Sequence, residues 1–259
     1  MTNATRRPVI AGNWKMNPPT QDEAVSLARD VAAAVGELPV DTVVCPPAIW
    51  LPAVAEALRA RGSQVSVGAQ TMAADERGAF TGETSPLMLA GLARWVIIGH
   101  SERRQYDGET DAAVGRKVAS AVAHGLRPIA AIGERIDERE AGETAAVIDR
   151  QLRAAIGGLE RIAGTGLAVA YEPVWAIGTG NAASSADAQV AAAQIRSILR
   201  DADATGADEV AILYGGSVTA GNSTEFFAQP DVDGALVGGA SLDPEAFAGI
   251  VRAAASLAR

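Results

Sequence analysis

Eight short apolar runs rich in β-branched residues alternate along this chain with longer Ala-rich amphipathic stretches, and few folds can satisfy that alternation. The runs are Pro8–Asn13, Thr42–Cys45, Val65–Ala69, Trp95–Gly99, Pro128–Ile132, Ala168–Tyr171, Val210–Tyr214 and Gly234–Val237. Each is nearly continuous in apolar character, the pattern of strands covered on both faces in a parallel sheet. Helical patterns span Gln21–Val35, Ile49–Ala60, Thr110–His124, Ala145–Ile162, Ala186–Ala202 and Pro244–Leu257, with shorter ones at Pro86–Leu92 and Ser223–Ala228. Thr20 before Gln21–Asp22–Glu23, and Asp243 before Pro244 and Glu245, supply helix-start signals.

Two α/β architectures fit this order: a doubly wound open sheet and a closed barrel. The first strand–helix turn reads GNWKMN and carries no G-x-G-x-x-G, which weighs against a dinucleotide-binding open sheet and a dehydrogenase. Eight units in 259 residues, about 32 residues each, match the count of a (β/α)8 barrel. No linker or low-complexity run divides the chain. The expectation is an α/β fold, one (β/α)8 barrel domain over residues 1–259.

Charge and composition narrow the function classes. With 22 Lys plus Arg against 31 Asp plus Glu, the formal charge is −9, which argues against a nucleic-acid partner. A small anionic substrate stays open, because it feels local charge. The single cysteine, Cys45, excludes an internal disulfide framework and a cysteine-cluster metal site. His100 and His124 lack H-E-x-x-H spacing, so no zinc site is expected. The N-terminal stretch has no signal-peptide apolar run, and no apolar run is long enough for a membrane span. The expected location is the cytoplasm, with no membrane partner.

In a barrel, chemistry sits where strands end. Strand one runs into Asn13, Trp14 and Lys15, strand four into His100, Ser101 and Glu102, and strand six into Glu172. Of the 22 cationic residues only Lys15 and Lys117 are Lys. Lys15 reads either as a snorkelling surface lysine or as a compact point charge in a tight site. His100 is either a satisfied structural histidine or an electrophile, whereas His124, before Gly125, belongs to a helix end. Glu172 ends a buried strand, as a structural ion-pair partner or as a general base facing a cleft. GGS at 215–217 and the Gly238–Gly239 pair are simple tight turns or, together after strands seven and eight, a backbone cradle for a phosphate monoester. GTG at 178–180 is an ordinary turn or the end of a lid that begins at Pro173.

Taken together, GNWKMN (12–17), GAFTGE (78–83), GHSERR (99–104), AYEPVWAIGTG (170–180), LYGGSV (213–218) and DGALVGGASL (233–242) resemble the triosephosphate isomerase family, block for block and in order. The resemblance implies a cofactor-free, metal-free aldose–ketose isomerase of glycolysis and gluconeogenesis. It would interconvert dihydroxyacetone phosphate and D-glyceraldehyde 3-phosphate through an enediolate. It implies Glu172 as the base, His100 as a neutral imidazole polarising the carbonyl, and Lys15 and Asn13 as stabilisers of the enediolate and the dianion. Glu102 would support Lys15 and His100. Gly178, Ser217, Gly238 and Gly239 would offer backbone N–H groups to phosphate. It further implies a homodimer through residues 70–85, with Thr81 reaching the partner's site.

Three positions depart from the family pattern: Ala131 where cysteine is common behind the glutamate, Ala211 where a basic residue is common, and Asp243 where lysine often stands. The alternatives are a paralogous isomerase of a tetrulose phosphate such as erythrulose phosphate, for which Ala131 is the one loosening, and a non-catalytic phosphate-binding barrel.

Overall fold

A computed structural model describes residues 6–176 and 183–257. Its elements run β1 (Val9–Asn13), α1 (Gln21–Val35), β2 (Asp41–Cys45), α2 (Leu51–Ala60), β3 (Ser66–Ala69), α3 (Pro86–Leu89), β4 (Trp95–Ile98), α4 (Ser101–Tyr106) and α5 (Asp111–Ala123). They continue β5 (Arg127–Ile132), α6 (Ile136–Glu140), α7 (Thr144–Ile156), β6 (Ala168–Tyr171), α8 (Ser185–Ala202), β7 (Ala211–Tyr214), α9 (Ser223–Phe227), β8 (Gly234–Val237) and α10 (Pro244–Ser256). Every strand pairs in parallel with its sequence neighbour, and β1 pairs with β8, which closes a (β/α)8 barrel.

Successive side chains of a strand point to opposite faces, so each strand feeds two cores. One alternate set fills the barrel: Val9 and Ala11, Val43 and Cys45, Trp95 and Ile97, Ile129 and Ala131, Ala168 and Ala170, Ala211 and Leu213, with Leu236. The other set, including Ile10, Val44, Ile98, Ile132, Val169 and Ile212, packs outward against the helices. Both sets are apolar, which is why the strands read as unbroken hydrophobic runs. Burial pushes the Cys45 thiol up to about 12, leaving it an inert apolar filler.

The helix starts are capped as the sequence signals. Thr20 accepts from the Glu23 N–H, Asp243 from the Glu245 and Ala246 N–H groups, and Thr110 from the Ala113 N–H. Several bounds differ from expectation. The helix expected over Ala145–Ile162 ends at Ile156, where Gly157 and Gly158 interrupt it. The stretch expected from Ile49 opens as a 3-10 turn over Ala48–Trp50, and the α-helix starts at Leu51 with Pro52 in its first turn. Pro86–Leu92 shortens to one turn. Two short helices, α4 and α6, were not anticipated; neither is long enough to show a hydrophobic period.

Two departures from the family pattern find a place here. Ala131 sits in the interior set, level with Ala170 of β6 and so two residues below Glu172. Asp243 is the N-cap of α10, a role lysine could not fill. Ala211 is a buried interior residue at the start of β7, and nothing else in the structure explains it.

The closing strands are held by a buried guanidinium. Arg196 of α8 is 1% exposed. It donates to the carbonyls of Ala207 and Val210 and to Asp233 Oδ2 at 2.8 Å. Asp233 also accepts from Arg6 at 2.8 Å and from the Ile212 N–H at 3.0 Å, which joins the N-terminal segment to β7 and to the start of β8. Arg196→Met would leave two carbonyls and a buried carboxylate without this donor. We expect it to lower unfolding stability by about 3–5 kcal/mol, read as a lower urea midpoint at unchanged slope. A loss below about 1 kcal/mol would show that the network is not what holds this end of the barrel.

Candidate active site

The interior columns of β1 and β6 run on past the last apolar residue. Two steps beyond Ala11 stands Asn13, and two steps beyond Ala170 stands Glu172; both are buried. They open onto a cavity of about 340 Å³ at the C-terminal end of the barrel, which Lys15, His100, Ser217, Gly238 and Gly239 also line. All of the anticipated site residues within the described chain therefore meet in one place, except that Glu102 stands behind the lining. Gly178 and the rest of the GTG segment lie outside the described residues.

Glu172 is held by three neighbours. Its Oε2 accepts from the Ser101 N–H at 2.8 Å, and its Oε1 lies 3.0 Å from His100 Nε2. Its own N–H donates to the Ile132 carbonyl at 2.8 Å. The packing around it requires glycine at two points. A Cβ on Gly133 would stand 1.7 Å from the Glu172 carbonyl oxygen, and one on Gly215 would stand 2.8 Å from its Cγ. Larger residues at either position would push the carboxylate out of the cavity.

His100 precedes α4, and its Nδ1 accepts from the Glu102 N–H at 3.2 Å. The Glu102 carboxylate stands 3.7 Å from the same nitrogen, beyond hydrogen-bond reach, and is engaged by Lys15 instead. An N–H aimed at Nδ1 demands a lone pair there, so the ring carries its proton on Nε2 and donates it to Glu172. Lys15 Nζ donates to Glu102 Oε1 at 2.5 Å. One carboxylate, one imidazole N–H and one ammonium thus meet at a small cavity that glycine-rich turns also line. Such a set can take a proton from a carbon, polarise the adjacent oxygen and hold an anion.

Four supporting groups escaped the sequence reading. Glu109 accepts from the Gly99 N–H at 2.9 Å and from Lys117, while Arg104 donates to the Gly99 carbonyl at 2.7 Å. The peptide before His100 is therefore fixed on both sides. Glu134, fully buried, accepts from Tyr171 Oη at 3.1 Å and from Trp175 Nε1 at 2.8 Å. The guanidinium of Arg139 covers the Trp175 ring at 4.0 Å. Burial and the Glu134 charge push the Tyr171 hydroxyl up, so it stays a donor. Gln70 donates to the carbonyls of Lys15 and Cys45. Two signals were available: Lys117 is the second of only two lysines, and Glu134 ends an apolar strand as Glu172 does.

Comparison with known proteins decides the family. The family model described as Triosephosphate isomerase matches residues 8–254. A protein of Moorella thermoacetica named Triosephosphate isomerase is 52% identical over 247 residues, covering 95% of this chain and 98% of its own. One of Rhodopirellula baltica with the same name is 48% identical over 255 residues, covering 97% and 99%. The chain belongs to the triosephosphate isomerase family. Membership makes it a triosephosphate isomerase by family, and the closed eight-stranded barrel agrees. Among the described residues no cluster of His, Cys, Asp and Glu could hold a metal, and no helix is long and apolar enough to cross a membrane.

The tautomer of His100 is directly testable. With ¹⁵N-labelled histidine at neutral pH, Nε2 is expected to show the protonated shift and Nδ1 the unprotonated one. A ring protonated on Nδ1 would contradict the Glu102 N–H contact.

Proposed function

We propose that this cavity interconverts dihydroxyacetone phosphate and D-glyceraldehyde 3-phosphate, with the proton carried between carbons by Glu172. The observation that carries the reading is that Glu172, His100 and Lys15 converge on one cavity of about 340 Å³, room for a small phosphate ester. Glu172 Oε1 and His100 Nε2 are neighbours, so one substrate can face both. The carboxylate takes the proton from one carbon while the Nε2–H polarises the adjoining carbonyl. Negative charge then builds on oxygen, where Lys15 and the Asn13 amide stabilise it. Glu102 fixes the Lys15 ammonium and, through its own N–H, the His100 tautomer. Ser217, Gly238 and Gly239 line the cavity, and their backbone N–H groups are proposed to take the phosphate together with that of Gly178. Glu172 then returns its proton to the neighbouring carbon, while His100 gives its Nε2 proton to one oxygen and takes the hydroxyl proton of the other, so a base, an imidazole and a fixed cation balance the steps without a cofactor.

In the geometry described, Glu172 Oε2 still holds the Ser101 N–H. Catalysis then requires it to exchange that bond for the substrate carbon. The segment from Pro173 reads as a lid hinged where Glu134 grips Trp175. Residues 1–259 work as one barrel domain. The cytoplasm is the proposed location: the substrates are ionised phosphate esters, and the one cysteine is a free buried thiol.

The chain is further proposed to act as a homodimer through residues 70–85. Among the described residues, eight large hydrophobic side chains are exposed, and six of them fall in the segments that follow β1 to β4: Met16, Ile49, Phe80, Leu87, Met88 and Tyr106. These strands are neighbours, so the six share one side of the barrel. An apolar surface of that kind marks an interface, and it borders the site, because Met16 follows Lys15.

Two experiments test this reading. A coupled assay should give high kcat/KM on glyceraldehyde 3-phosphate and far lower values on erythrose or erythrulose phosphates; the reverse order would identify the tetrulose enzyme. In the same assay Glu172→Asp should keep the fold and KM but lose about 10²-fold in kcat, because the carboxylate retreats by roughly an ångström. Separately, sedimentation at micromolar concentration should show a dimer, which charged residues at Ala79–Thr81 convert to a folded, weakly active monomer. A wild-type monomer would remove the interface.

A further inference from the structure

Lys15 is the one non-glycine residue with positive φ among those described, at 52°. A residue with a side chain takes the left-handed conformation only where its surroundings impose it. The two sides of the Lys15 backbone show what does so. Its N–H donates to Asn13 Oδ1 at 3.1 Å, and its carbonyl accepts from Gln70 Nε2 at 2.7 Å. The second N–H of the same Gln70 amide goes to the Cys45 carbonyl at 2.9 Å. Both neighbours are acceptors, so only the NH₂ orientation of this amide fits. Trp14 N–H reaches the same Cys45 carbonyl at 3.1 Å. From just past the end of β3, Gln70 therefore ties the turn after β1 to the end of β2, using every donor it has.

We infer that Gln70 is a positioning residue for the Lys15 ammonium. It holds the Lys15 peptide in the left-handed conformation, from which the side chain reaches Glu102 and the cavity. Without a donor at Gln70, nothing else described takes the Lys15 carbonyl. The peptide is then free to relax to negative φ, which swings the side chain away. The inference rests on the proposed role of Lys15 as the cation that meets the substrate's negative charge. It adds that the charge works only from one backbone conformation, and that a residue outside the cavity lining sets it. Gln70 also opens the 70–85 connection, so the segment proposed to contact a second copy begins at the clamp on the cation.

The test is a double-mutant cycle. Gln70→Met keeps the length and loses both donors; Gln70→Glu keeps the shape and offers acceptors where donors are needed. Each is made alone and with Lys15→Ala. The readouts are kcat, KM and competitive inhibition by inorganic phosphate, with sedimentation and circular dichroism to establish assembly and fold. Displacement of a charge by about an ångström should cost roughly ten- to a hundredfold in kcat/KM. Phosphate inhibition should weaken in parallel, and neither Gln70 variant should cost anything further once Lys15 is alanine. An equal loss in both backgrounds would make Gln70 a general structural tie and overturn the inference. So would full activity in a folded, normally assembled Gln70→Met. Where Gln70→Met does not fold, Gln70→Glu is read in the same cycle under the same two criteria. Near-normal activity in Lys15→Ala alone would instead defeat the proposed role of Lys15, an outcome distinct from either.

Discussion

Side-chain parity along eight parallel strands is the constraint on which this structure rests. Each strand must give one alternate set of residues to the barrel interior and the other to the helices. The register of the ladders fixes which set is which, since a one-residue slip would exchange the two. Ala11 and Ala170 are interior residues, so Asn13 and Glu172, two steps on, are interior too. There they no longer meet apolar partners, because the barrel has ended. The polar cavity is thus a continuation of the packed core, and its position follows from the register that packs Trp95, Ile97 and Ile129 below it.

Burying Glu172 at that point has a cost that hydrogen bonds must offset. Its two oxygens face the Ser101 N–H and the His100 N–H, both from the segment after β4. That segment is itself fixed through Gly99, whose N–H and carbonyl are taken by Glu109 and Arg104. The same device recurs at Lys15, between Asn13 and Gln70. In each case a side chain grips the backbone next to a reactive group, from the same strand end at Gly99 and, through Gln70, from another at Lys15. Fixing the peptide, instead of the side chain tip, leaves the tip free to meet a substrate while limiting where it can go.

Much of this was legible in the sequence. The interior and exterior sets are both apolar, so strand positions showed directly, and Asn13, His100 and Glu172, which broke the apolar runs at strand ends, meet at one cavity. The reading failed where local sequence carries no signal. Helix α7 was overrun because apolar spacing continues through Leu159 and Ile162, although Gly157 and Gly158 interrupt the helix before them. Helices α4 and α6 are shorter than two turns. Gln70 looks like any polar residue after a strand. Its role depends on two carbonyls that are 55 and 25 residues away in the chain and meet only when β1, β2 and β3 lie side by side. Glu134 carried the same signal as Glu172, a carboxylate closing an apolar strand. It faces Tyr171 and Trp175 instead of the cavity, a distinction that only the register makes.

The two lysines stand apart from the other cations of a chain of net charge −9. Every other cation here is arginine, and several of those lie on the surface, paired with Asp or Glu nearby in the chain. Lys15 and Lys117 instead meet single carboxylates, Glu102 and Glu109, at close range beside the segment that carries His100. A planar guanidinium presents a fork that wants two oxygens in its plane, whereas an ammonium offers the same charge to one oxygen from any direction. Where space admits one oxygen, lysine is the residue that fits. At Lys117 the partner is buried and the charge is spent on holding Gly99. At Lys15 the partner is 45% exposed at the side chain, so water screens their attraction and the ammonium can turn toward an incoming anion. The net negative charge of the molecule acts over distances that salt screens, while this one contact acts within a few ångströms.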